Sequence, residues 1–136
     1  MSAADFEQLL KSNTPDKAPV PMMVDRMDYG EAVLRLPYHS STLRPGGSIS
    51  GPTMMALADA CMYAVVMSAI GLEPLTVTTN LNINFLNKPR DCDLIAEGRL
   101  LKLGKTLAVI DVAIHSDHDS KLVAHVTGTY AIPPQE

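Results

Sequence analysis

The chain has 136 residues, a net charge of −4 with acidic and basic residues mixed along its length, and two cysteines, Cys61 and Cys92, without CxxC spacing. That length buries one core rather than two, so one domain is expected. No basic stripe exists for a nucleic acid, and the cysteines suit a reducing cytoplasm better than a disulfide scaffold.

Residues 4–12 place Phe6, Leu9 and Leu10 on one face of a short amphipathic helix. The Pro-rich run NTPDKAPVP that follows cannot continue it. Residues 1–21 are therefore taken as an N-terminal helix and linker, and 22–136 as a single domain. The N-terminus lacks a basic start, apolar run and small-residue cleavage site, so secretion is not expected. Residues 22–28 and 31–37 suggest two short strands joined at Tyr29-Gly30. A loop rich in breakers, with Pro45-Gly46-Gly47, occupies 38–50.

A long helix is predicted to begin at Ser50, Gly51 or Pro52, with Ser50 as N-cap, and to end at Gly71. Between Pro52 and Gly71 lie 18 residues, 15 of them apolar, and the only charge is Asp59. Such a run is long enough for a membrane span. A central Asp, many Ala residues and flanks without aromatic or basic anchors point instead to a helix enclosed by protein, so no membrane partner is expected.

Residues 75–85 set Val77, Thr79, Leu81, Ile83 and Phe85 against Thr76, Thr78, Asn80, Asn82 and Asn84, a period of two. Strands over 93–103, 106–115 and 122–132 follow, parted by the turns LGK and SDHDS. Antiparallel strands with one apolar helix make an α+β layout, the helix lying across the concave face of a curled sheet. The strand at 75–85 is the candidate open edge, through which copies would associate.

The turn Gly47-x-x-x-Gly51, LADACMYA at 57–64, TVTTNLNINFLNKP at 76–89, LLKLGKTLAVIDV at 100–112 and LVAHVTGTYAIP at 122–133 carry a resemblance. In their order and spacing they resemble the hotdog-fold acyl-CoA thioesterases of the phenylacetyl-CoA thioesterase (PaaI-like) type, over roughly residues 20 to 133. The resemblance implies a curled antiparallel sheet wrapped around the central helix, and hydrolysis of acyl-CoA to free acid and CoA. It implies no cofactor beyond the coenzyme A of the substrate, and a homodimer or homotetramer. In that family a His-Gly-Gly triplet opens the helix and an acid sits nine residues after the His. Here the triplet is Ser50-Gly51-Pro52, followed by Asp59: the glycine and acid are kept, and the histidine is not. Arg44 stands where the family often has Asn or Gln.

Such a hydrolase must polarise a carbonyl and supply an activated water or a nucleophile. The Gly51 N–H, unpaired in the first turn at the positive helix end, suits the first task, and Asp59 the second, as general base or nucleophile. Eight residues at 1.5 Å rise hold these groups about 12 Å apart on one helix, too far to share one carbonyl. Two copies about a two-fold axis can bring Gly51 of one to Asp59 of the other. A carboxylate buried beside Met55, Cys61 and Met62 is costly, and such exceptions concentrate at working sites. The structural alternative is an Asp bonded to backbone or to a Thr of the long strand.

Ser50 reads better as N-cap than as nucleophile, Arg44 as a solvated loop residue or a contact for the acyl group, and Tyr63, one turn beyond Asp59, as a wall of the acyl pocket or as core. CoA phosphates require a basic rim. Lys88, Lys105 and Thr106 match family positions for it, and Lys102 and Arg90 are neighbours. The HSDHD run at 115–119 is a solvated turn rather than a metal site, and His125 is structural. Two alternatives of different class remain: an acyl-CoA-binding module that lost catalysis along with the histidine, and, more weakly, a hydratase.

Overall fold

The computed structural model describes residues 2–13, 22–38, 51–73, 75–88, 92–117 and 121–134, with side chains left out of the description at 10–13. In chain order these form α1 (Ala3–Asn13), β1 (Met23–Asp28), β2 (Glu31–Leu36), α2 (Gly51–Ile70), β3 (Val77–Phe85), β4 (Leu94–Leu103), β5 (Leu107–Ser116) and β6 (Leu122–Ala131). All strand pairs are antiparallel, in one six-stranded sheet of order β1-β2-β4-β5-β6-β3. The strand predicted as the open edge, β3, is indeed terminal, hydrogen-bonded to β6 alone.

The concave face follows from alternation. Ala32, Leu34 and Leu36 on β2, Ala108, Ile110, Val112 and Ile114 on β5, and Ala124, Val126 and Tyr130 on β6 are all buried, and α2 lies against them. By length and composition α2 could cross a membrane. Here Met54, Leu57, Ala58, Cys61, Met62 and the run Ala64–Met67 are buried in the sheet's hollow, as in the core helix of a globular domain. Its predicted end is confirmed: Gly71 adopts the left-handed conformation at φ 80°, and its N–H donates to the Met67 carbonyl at 2.9 Å.

Two strand glycines set how closely the helix approaches. A β-carbon at Gly98 would lie 2.8 Å from both Cys61 Sγ and Val65 Cγ2, and one at Gly128 would collide with the Met62 side chain. Glycine inside a strand commonly marks such an approach. Cys61 is therefore not a neighbour of the Asp59 carboxylate, as its sequence position suggested. Turned about 200° around the helix from Asp59, its thiol lies 3.6 Å from the Ala32 carbonyl and 3.5 Å from that of Ala96.

The N-terminal helix is packed onto the domain. Phe6 is buried in the main core, Leu9 packs partly against it, and Glu7 Oε2 accepts the β1 amide of Val24 at 3.0 Å. The linker at 14–21 lies outside the described residues.

Candidate active site

One stripe of α2 is left open by its own sheet: Pro52, Met55 and Ala56 are exposed, and Asp59, Ala60 and Tyr63 are half-buried. The spacing is that of a single helical face. On it Asp59 is the only charge, and its surroundings are specific. Thr78 Oγ1 donates to Asp59 Oδ1 at 2.7 Å, and the Tyr130 hydroxyl donates to the same oxygen at 2.6 Å. Nothing described bonds to Oδ2. The structural alternative, an Asp bonded to a Thr of the long strand, is thus realised on one carboxylate oxygen only.

Thr78 reaches Asp59 because β3 breaks its own alternation. Strict period two would put Thr78 on the outer face with Asn80, Asn82 and Asn84. The register shifts between Thr78 and Asn80, so Thr78 pairs with Tyr130 and Asn80 with Thr129. The extra residue, Thr79, is a bulge that reverses the phase of everything before it. Val77, expected inside, becomes 54% exposed, and Thr78 turns toward the helix. Sequence reading missed Thr78 for this reason.

Tyr130 was missed too, although a signal existed. It continues the inward set Ala124, Val126 and Gly128, and a buried phenol needs a hydrogen-bond partner. Only 2% exposed, it stacks on Tyr63 with ring centroids 6.1 Å apart, and Tyr63 meets Phe6 of α1 at 5.6 Å. Burial raises the Tyr63 phenol above its ordinary range. Burial first, then the bond to Asp59, hold the Tyr130 phenol far above it, against a smaller opposing effect of the Thr78 hydroxyl.

Gly51 is the first residue of α2, and a methyl group added there would meet the Phe85 ring at 3.3 Å. Phe85, half exposed, ends β3. Strand β3 therefore has Asp59 beside its start and Gly51 beside its end. Lys88 is exposed just past that end. Lys105 and Thr106 are exposed in the β4–β5 turn, next to Leu107, which pairs with Ala131 opposite Val77. They share the Asp59 end of the sheet, and Lys88 the Gly51 end. Lys102 is exposed on β4. Arg44, Ser50 and Arg90 lie outside the described residues.

On the convex face Asp111 accepts from Arg99 Nε at 3.0 Å and lies 3.3 Å from His125 Nε2, which gives His125 a structural setting. Asp117, within the run 115–119, pairs with Arg35 at 2.9 Å, and Arg35 also binds Asp25 and Asp93. Among the described residues no group of His, Cys, Asp or Glu is placed to hold a metal ion.

The Thioesterase superfamily model matches residues 46–123, a span that holds Gly51, Asp59, Thr78 and strands β3 to β5. The chain belongs to the thioesterase superfamily. A candidate thioesterase of Silicibacter sp. TM1040 is 41% identical, with a TM-score of 0.87 over 98% of this chain and 93% of that one. A hypothetical thioesterase of Streptococcus pneumoniae TIGR4, crystallised with coenzyme A, is 26% identical, with a TM-score of 0.80 over 99% of each chain. A candidate esterase of Saccharolobus solfataricus is 32% identical over 80% of this chain and 76% of its own length. The curled sheet around one long helix is the hotdog fold of these thioesterases.

Proposed function

We propose that this member of the thioesterase superfamily hydrolyses acyl-CoA thioesters in the cytoplasm, as a homodimer or a homotetramer, with no cofactor beyond the substrate's own coenzyme A. The observation that carries the reading is the Asp59 carboxylate. It stands on the open stripe of α2, with Oδ1 bonded twice and Oδ2 bonded to none of the described residues. A carboxylate oxygen so held can take a proton from water or attack the carbonyl itself. The coenzyme A crystallised with the Streptococcus pneumoniae relative supports the substrate class.

The other half of the site comes from a second copy. An edge strand invites pairing with its twin. If β3 pairs antiparallel about an axis through Asn82, with Thr79 standing out as the bulge, Thr78 faces Phe85 of the partner subunit. Asp59 then confronts Gly51 of the partner subunit, whose amide, at the positive end of its helix, polarises the thioester carbonyl. The same operation carries Lys88 of the partner subunit toward Lys105 and Thr106, so each CoA meets basic groups from both chains. Tyr63 borders the acyl group, and Arg44 and Ser50, outside the described residues, are further candidate substrate contacts.

The test is an acyl-CoA panel of short, medium and aromatic esters with a thiol-trapping dye. One or more should turn over, and Asp59→Asn should lower kcat by roughly 10²–10⁴-fold. No turnover, with thermal stabilisation by acyl-CoA retained, would establish the alternative, a binding module of the same fold.

A further inference from the structure

The hydrolytic reading leaves unexplained why a buried tyrosine of β6 spends its hydroxyl on the helix acid. The Tyr130 oxygen lies 2.6 Å from Asp59 Oδ1 and 2.9 Å from the Asp59 backbone carbonyl. A phenol has one proton to donate, and the charged acceptor takes the shorter, stronger bond. Thr78 Oγ1 donates to the same Oδ1 at 2.7 Å. With both donors on one oxygen, the carboxylate cannot rotate without losing both bonds at once.

We propose that Tyr130 is a positioning residue for thioester hydrolysis: with Thr78 it pins Asp59 Oδ1, so that Oδ2 faces the reacting carbonyl. The inference rests on Asp59 acting on the thioester, as proposed above. Tyr130 is suited to the task because it does not move. Its ring is buried and stacked on Tyr63, which is in turn backed by Phe6 of the N-terminal helix. Supporting shells of this kind hold reacting groups within the narrow tolerance that catalysis requires. The raised phenol keeps its proton through the working pH range, so it remains a donor.

Tyr130→Phe removes one oxygen and keeps the ring stack. In the full chain, kcat on the best acyl-CoA should fall about 10-fold or more with KM changed less than twofold, and inhibition by free CoA should be unaltered. A variant that keeps kcat within twofold, or loses kcat and CoA inhibition together, overturns the proposal. Thr78→Val gives a second measurement should Tyr130→Phe fail to fold, because Thr78 lies at the exposed edge. It should show the same split between kcat and KM, and a silent Thr78→Val sinks the pinning of Oδ1. The two failures are distinguishable: wild-type protein inert on every acyl-CoA refutes the hydrolytic reading, whereas active wild-type with unaffected variants refutes only the role of Tyr130.

Discussion

The two ends of strand β3 are built to different standards. At its start, Asp59 is gripped by Thr78 and Tyr130 and backed by a stack of three aromatic rings. At its end, Gly51 has the half-exposed ring of Phe85 beside it. Among the described residues the carboxylate corner has its hydrogen-bond partners within one chain, and the amide corner has only Phe85 beside it. If Gly51 and Asp59 act as proposed, a helix that holds its own amide and its own acid about 12 Å apart gains nothing by completing both corners. On the proposed dimeric mechanism it needs one rigid corner and one that a second copy can close.

The largest effect expected from this contrast is a rescue. Asp59→Asn spoils the finished corner. Gly51→Pro spoils the open one by deleting its N–H, at a position in the first helical turn where proline is tolerated. Each variant alone should be nearly inactive. Co-expressed, they should form heterodimers in which one of two sites joins a native Asp59 to a native Gly51. With random assortment of a two-fold dimer, that returns roughly a quarter of wild-type activity. Self-contained sites in each protomer would return none, and the comparison of the two corners would lose its meaning.

How much of this could be read beforehand differs between the corners as well. Asp59 stood out as the one charge in an apolar helix, Gly71 as that helix's end, and residues 75–85 as the edge. These follow from local chemistry: a lone charge, a left-handed glycine, a ladder of polar side chains. Thr78 could not be found from alternation, because a bulge at Thr79 swaps the faces of the strand, and three nearby threonines mark no position for it. Tyr130 was within reach. Its parity faced it inward, and a buried phenol had to find an acceptor on the helix. Cys61 was misjudged because adjacency in sequence was taken for adjacency in space, although two residues along a helix point to nearly opposite sides. Arg44 and Ser50, which precede Gly51 in the sequence, lie outside the described residues.

Alkaline titration sharpens the contrast, since the finished corner is tied to the core. Burial raises the Tyr130 phenol above its ordinary 10.0, and burial pushes the Cys61 thiol from 9.0 up to about 12. Both groups bind their protons more tightly folded than unfolded. Their contribution is therefore complete below the unfolded values and is lost as pH rises through the folded ones. Melting temperature should be flat from pH 7 to near 9, then fall as the unfolded chain releases first the Cys61 proton and then that of Tyr130. Each group contributes a slope of about 1.4 kcal/mol per pH unit. Tyr130→Phe should shrink the later part of the slope, leaving the share of the half-buried Tyr63 phenol, and leave the earlier part unchanged. An unchanged profile would mean that the Asp59 corner is not coupled to global unfolding.

The smallest effect concerns the seat on which both corners rest. Gly98 lets α2 settle against β4, and a methyl group there meets Cys61 Sγ and Val65 Cγ2 at 2.8 Å. Both contacts are close to the helix backbone, and the valine is stiff at χ1, so neither retreats easily. Gly98→Ala should lift the helix rather than displace one flexible tip. Overpacking of this kind costs roughly 1–3 kcal/mol, visible as a lower urea midpoint at unchanged m. Activity measured well below the melting point should decline less than stability does. The hydrogen bonds from Thr78 and Tyr130 tether Asp59 to the sheet as the helix lifts, and in the proposed dimer the partner's helix lifts by the same amount. A loss of activity larger than the loss of stability would show that the helix's depth, and not the Oδ1 anchor alone, sets the position of the acid.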